Sequence, residues 1–303
     1  MLKQHLKKIL RICGYNVTSA KQVKIHPEEV RHNKQIPVDI RDKSNDPMQL
    51  PYFMGHPVLV DACVSKIGRY FFTPNVDPYI YSVKGALCKD IQMGLLRESL
   101  RSYYSMVKPN NACEWLGLTK NEAPLLYQSP SWVSPFPWES LSMEKEYEGM
   151  KRIIEFENQL SGKKASVFEG WNGCGPVSEE KLKIETNRLY KVLKSIEANG
   201  YRRNDCPDGD IEVVALVRED GHWKLHVRQG QHRFAVLMAL GYKTIPVRVI
   251  SIVYRRDSLI WPNVQSKLYA NEAALKVFDR MFYGDAPKVV RPWLDEIKLR
   301  VNN

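Results

Sequence analysis

"KLHVRQGQHRFAVLMALGYKTIPVRVI", Lys224 to Ile250, changes its period halfway along. From His222 to Arg228 the residues alternate, with Trp223, Leu225 and Val227 on one side and His222, Lys224, His226 and Arg228 on the other, as in a strand. After Gly230 the apolar positions are Phe234, Leu237, Met238 and Gly241, which is the i, i+3, i+4, i+7 spacing of a helix. "TIPVRVISIV" (244–253) is β-branched again and predicts a further strand. Upstream, "DIEVVALV" (210–217) reads as a buried strand that the turn "EDG" (219–221) joins to 222–228 as a hairpin. Before it lies a helical stretch that Ser178 should cap at its start and Gly200 at its end. The predicted order is helix, strand, strand, helix, strand, an α/β (α+β) arrangement with a mixed sheet.

The point where the period changes carries Gly230, Gln231, His232 and Arg233. Glycine lets the backbone turn sharply and approach a ligand closely. The residues after it present the free N–H groups of a helix N-terminus, where an anion can bind. His232 and Arg233 add donors, and arginine can grip phosphate oxygens with two N–H groups. The 179–199 helix buries Leu189, Leu193 and Ile196 on one stripe and sets Arg188, Lys191 and Ser195 on another. By default such a polar face is merely solvated.

In its ordered elements, "RLYKVLKSIEANG", "IEVVALV" and "HVRQGQHRFAVLMALGYKTIPVRV", the chain resembles the ParB/sulfiredoxin-like superfamily over about residues 178–253. The resemblance implies a nucleotide-binding fold in which the turn and the helix hold triphosphate. Its implied site is Gly230, Gln231, His232 and Arg233, with Arg188, Lys191 and Ser195 on the helix. ATP or another nucleoside triphosphate, with Mg²⁺, is the implied cofactor. The ParB-like kinases make an ATP-using phosphotransferase the leading expectation, acting on a small, glycan or lipid acceptor that the sequence does not identify. His232 is then a candidate catalytic residue, and Glu185, one turn before Arg188, a candidate catalytic base. Gln231 stands where sulfiredoxins carry their cysteine, and an amide cannot supply a thiolate, so sulfiredoxin chemistry is not expected. Only about 50 residues follow the last strand, and they read as two closing helices with no DNA-reading element, which disfavours chromosome partitioning. The alternatives are a non-catalytic module, nucleotide-switched or nucleic-acid-binding, and a ParB-like nuclease. Transfer of a γ-phosphate to an acceptor separates the enzyme from the module.

The remaining sequence is less patterned. The chain has 303 residues and a formal net charge of +11, which favours anionic partners. Residues 1–50 hold ten Lys/Arg against five Asp/Glu, so nearly half of that excess is N-terminal. "MLKQHLKKILRICGYNV" places Leu2, Leu6, Ile9, Leu10 and Cys13 on one face of a basic amphipathic helix. That helix either docks on its own domain or gives residues 1–13 a peripheral membrane contact. The six cysteines are scattered, with no CxxC, so neither a disulfide framework nor a zinc site is expected and no cysteine should be essential. No apolar run is long enough to span a bilayer, and Lys7, Lys8 and Arg11 interrupt any signal-peptide core, so the cytoplasm is the expected compartment. Helices are expected near 86–106 and 143–160. Between them, Pro124, Pro130, Pro135 and Pro137 lie among Tyr127, Trp132, Phe136 and Trp138, a stretch that is either a packed connector or an aromatic lid. The Gly/Pro-rich break at 168–181 is the expected boundary between an unassigned N-terminal region, 1–170, and the nucleotide-binding domain, 171–303.

Overall fold

The computed structural model describes residues 36–87, 92–140, 142–159, 166–203 and 209–302. The basic helix expected at the N-terminus, with Cys13, and the thiols Cys88 and Cys206 lie outside these residues. The strands read from the sequence are present as β4 (Glu212–Val217), β5 (Trp223–Gln229) and β6 (Thr244–Tyr254). β4 and β5 form the expected antiparallel hairpin, and β6 returns parallel to β4 on its other side. β4 is central, and Val213 to Val217 are all buried, which is why its sequence is a continuous apolar run.

Three further strands come from the N-terminal half: β1 (Val38–Asp39), β2 (Val58–Cys63) and β3 (Ile67–Gly68). The resulting mixed sheet has the order β1-β2-β6-β4-β5-β3. β2 runs antiparallel to β6, pairing Val58 with Val249 and Val60 with Val247. β3 runs parallel to β5 at the opposite edge. Residues 37–303 accordingly form one compact unit, and the break at 168–181 lies inside it. The middle of the break, Trp171 to Gly175, is buried and wedged against the second of the helices described next. Gly175 N–H donates to Val107 O at 2.8 Å, and the Tyr103 hydroxyl donates to Gly173 O at 2.5 Å. A Cβ on Gly175 would lie 1.9 Å from the Tyr104 carbonyl oxygen, so the Gly/Pro composition reflects close packing and not a linker.

The helix expected at 86–106 is two helices, α1 (Pro78–Leu87) and α2 (Met93–Met106). They are followed by α3 (Met143–Gln159), α4 (Glu179–Asn199), α5 (Gln231–Ala239) and the closing pair α6 (Asn271–Tyr283) and α7 (Arg291–Asn302). The caps of α4 are as expected: the Ser178 hydroxyl accepts from Lys181 N–H at 3.1 Å, and Gly200 ends the helix. α1 packs on α2 and α5, and α4 packs on the same two helices, so four helices make one layer. α5 sends Phe234, Ala235, Val236 and Leu237 into the core.

The side of β5 that carries Lys224, His226 and Arg228 is covered by aromatic rings. Lys224 lies over Phe282, and His226 and Arg228 meet Phe136. The proline-rich segment around Phe136 is thus a packed connector. Phe136 stacks on Trp138, and Trp138 packs edge-on against Trp261 and Phe278. The carbonyls of Pro135, Phe136 and Pro137 accept hydrogen bonds from Tyr269 and Asn263, which replaces the regular pairing that the prolines prevent.

Two glycine substitutions should move stability in opposite directions. Gly175→Ala should cost about 1–3 kcal/mol through the clash with Tyr104. Gly149→Ala, inside α3 with open space around it, should gain up to about 1 kcal/mol of helix propensity. Denaturant midpoints of the two variants against the parent measure both; equal shifts would contradict this packing.

Candidate active site

α4 has Lys181 and Glu185 one turn apart, and both side chains are fully buried. Lys181 Nζ lies 2.8 Å from Glu185 Oε1. Glu185 Oε2 accepts from the Tyr79 hydroxyl of α1 at 3.0 Å and is 2.9 Å from His232 Nε2 of α5. Arg188 Nη1 approaches Oε1 at 3.4 Å. The Tyr79 hydroxyl is also 3.0 Å from that of Tyr104, and both reach the Asn172 carbonyl in the glycine-rich loop. One carboxylate therefore gathers α1, α4 and α5, with α2 and the loop one bond further out.

This geometry decides the acid–base character of the pair. Burial works against ionisation of Glu185, but Lys181, then Arg188 and His232, hold it well below the ordinary carboxylate range. A carboxylate so strongly stabilised is a poor proton acceptor, and its chemical effect is to fix its neighbours. His232 is pushed below its usual value by burial and then by Arg188, with the Glu185 bond opposing. A neutral His232 that donates Nε2–H to Glu185 has its lone pair on Nδ1. Its side chain keeps 11% of its surface exposed, whereas that of Glu185 has none.

Gly230 precedes α5 with φ +83°, in the left-handed region that favours glycine. No side chain caps α5, and its first backbone bond is Phe234 N–H to Gly230 O. The N–H groups of Gln231, His232 and Arg233 are thus left without an intrahelical acceptor. The amide of Gln231 is held at both ends. Its oxygen accepts from Arg69 Nη1 at 3.3 Å, and its nitrogen donates to the Tyr70 hydroxyl at 3.2 Å. Arg69 is itself buried against Asp77, at 2.6 Å, and Asp77 accepts from the first N–H groups of α1.

The expected site residues separate into three groups. Glu185, Arg188 and His232 come together, with Gln231 beside them. Arg233 is buried, and its guanidinium donates to the carbonyls of Gly209 and Asp210, fastening the chain just before β4. Lys191 and Ser195 are exposed further along α4, as a solvated stripe would be. Three contributors were not anticipated. Lys181 could have been suspected from its i, i+4 spacing to Glu185, whereas Tyr79 and Glu157 are remote in sequence and carry no local signal. Glu157 of α3 lies 3.2 Å from Arg188 Nη1. At the other side of the turn Arg228 pairs with Glu139, and Glu146 is raised to about 7 by burial and by Glu139, with Arg228 opposing.

Beneath the turn, the His226 ring meets the rings of Tyr70 and Phe136 edge-on. Neither ring nitrogen has a hydrogen-bond partner of normal geometry. Burial, and after it Arg228, lowers this imidazole to about 3, opposed weakly by the Tyr70 backbone. No protein-family model, curated protein or solved structure matches this chain. Among the described residues, no three His, Cys, Asp or Glu side chains gather to hold a metal ion, and no helix is long and apolar enough to cross a membrane.

Arg233→Ala should cost about 1–3 kcal/mol, because it strands the carbonyls of Gly209 and Asp210, and should leave anion affinity near that of the parent. Melting curves together with a nucleotide titration of this variant check both halves; a stable protein with lost affinity would make Arg233 a ligand contact.

His226 should make folding acid-sensitive. The unfolded imidazole takes a proton below about pH 6.5, whereas the folded one resists until about 3, so stability is lost as pH falls through that window. His232 and Glu185 are depressed too and act with the same sign. His226→Gln should reduce the slope of unfolding free energy between pH 6 and 4.5 by up to about 1.4 kcal/mol per pH unit. An unchanged slope would place the sensitivity elsewhere.

Proposed function

We propose that the protein is a nucleotide-dependent phosphotransferase of the ParB-like kinase type, with its phosphate site at the Gly230–Arg233 turn. One observation carries this reading: the uncapped start of α5 sits beside a neutral imidazole that a buried carboxylate holds in a single orientation. The free N–H groups of Gln231 and His232 suit phosphate oxygens. Arg188, partly exposed at the rim, supplies a charge-assisted donor. His232 Nδ1 takes the proton of the acceptor hydroxyl as its oxygen attacks the γ-phosphorus, the bond from that phosphorus to the β,γ-bridging oxygen breaks and the nucleoside diphosphate leaves, while Glu185 positions the ring without accepting the proton itself. Arg233 and Gln231 shape the turn. Mg²⁺ would enter as a companion of the nucleotide phosphates; among the described residues no three His, Cys, Asp or Glu side chains gather to hold it.

A second reading has its own support. Arg188 and Arg228 already carry carboxylate partners, and a module that binds nucleotide without turnover would use the same turn. His232→Gln distinguishes the two. Its amide nitrogen takes the place of Nε2 and can still donate to Glu185, so nucleotide binding, followed as a thermal shift with ATP, GTP or CTP and Mg²⁺, should stay within a few fold. Phosphate transfer should fall about 10²–10⁴-fold, the usual contribution of a general base. Nucleotide binding with no transfer by the parent protein would favour the module, and no stabilisation by any nucleotide would remove the phosphate reading itself.

A further inference from the structure

We propose that α3 is a lid and that the Glu157 carboxylate is an internal occupant of the anion seat, displaced when phosphate arrives. The inference rests on the phosphate reading of the turn and adds its regulation. Four observations lead to it. First, Glu157 is placed where a phosphate oxygen would be useful: 3.2 Å from Arg188 Nη1, with its charge acting on both His232 and Tyr70, which flank Gln231. Second, the arginine on the other side of the turn is answered in the same way, Arg228 by Glu139, with Glu146 of α3 close enough to feel both charges. Third, few residues of α3 are fully buried. Of its 17 residues only Ile154 and Asn158 are, Met143 and Met150 pack on the core from half-buried positions, and Ile153 is 53% exposed. Fourth, α3 reaches the rest of the site through a buried amide and a half-buried ring contact. Asn158 Oδ1 accepts from Lys181 Nζ at 2.8 Å, and Tyr147 leans on Trp132 with ring centres 4.9 Å apart.

The electrostatics favour exchange. Glu157 and Arg188 keep 25% and 23% of their side chains exposed, so water screens this pair more than the fully buried Lys181–Glu185 pair. A polyphosphate brings several charges and many acceptor oxygens to the same arginine and to the uncapped N–H groups, so it outcompetes one carboxylate. While α3 is closed, the apparent affinity for any anion is reduced by the fraction of molecules that are open. The lid also touches the buried network, because Asn158 and Glu185 share Lys181. Opening α3 therefore leaves Lys181 to Glu185 alone.

Inorganic tripolyphosphate tests this without any contribution from a nucleoside. Calorimetric titration should show Glu157→Gln binding it about three- to tenfold more tightly than the parent. Glu148→Gln, which removes the same charge from the exposed side of α3, should be unchanged. Hydrogen exchange supplies the second measurement: amides of 151–159 should exchange faster in the parent once tripolyphosphate is added, and faster in Glu157→Gln without it. If parent and Glu157→Gln bind equally and exchange in α3 does not respond, the lid is overturned while the phosphate site stands. If both charge variants gain equally, the effect is bulk charge and the lid is again overturned. If neither protein binds tripolyphosphate, the phosphate reading falls and the lid with it.

Discussion

A carboxylate with no exposed surface lies where three helices meet, and the rest of the site depends on keeping it satisfied. Glu185 is contacted by an ammonium, a phenol, an imidazole and a guanidinium, each from a different part of the chain or a different turn of α4. Isolated, such a charge would cost several kcal/mol to bury, and removing one partner of a buried pair is similarly expensive. The arrangement is therefore mutually dependent. Lys181 needs Glu185 as much as the reverse, and His232 has its tautomer set by Glu185. That dependence makes the imidazole a fixed group with a defined lone pair.

Around this centre the charges are compensated in layers. Arg69 and Asp77 pair in the interior and hold Gln231, which shapes the turn. Arg233 spends its donors on backbone carbonyls before β4. Arg188 and Arg228, nearer the surface, are matched by Glu157 and Glu139. The inner pairs are shielded from water and are part of the fold. The outer ones are partly solvated and more screened by water. The gradient in burial separates arginines that build the turn from arginines that solvent can reach.

The two halves of the chain are joined by the sheet and the aromatic packing. β2 lies against β6 and β3 against β5, so the strands read from 210–253 are completed by strands from 38–68. Closing off the second surface of β5 falls to Phe136, Phe282 and the rings stacked with them. A buried histidine without well-formed hydrogen bonds remains between these layers, which makes the packing sensitive to acid.

Local chemistry determined a good deal of this protein. Alternation and the 3.6-residue period located β4, β5, α5 and β6, and the Ser178 and Gly200 signals bounded α4, because these patterns depend only on neighbours within a few residues. Gly230 marked the left-handed turn for the same reason. Tertiary structure alone decided which charged groups meet. On a helical wheel Arg188, Lys191 and Ser195 share a stripe, yet only Arg188 reaches the cluster, because the neighbours that draw it inward are Glu185 and Glu157 of another helix. Arg233 looked like a ligand contact until the carbonyls of Gly209 and Asp210 came within its reach. The glycine-rich break resembled a linker because composition records flexibility and close packing alike, and only the Tyr104 carbonyl beside Gly175 shows which applies. Spacing along a chain fixes direction to within a turn of helix, but burial and ion pairing depend on residues a hundred positions away, and those distances are set only when the layers close.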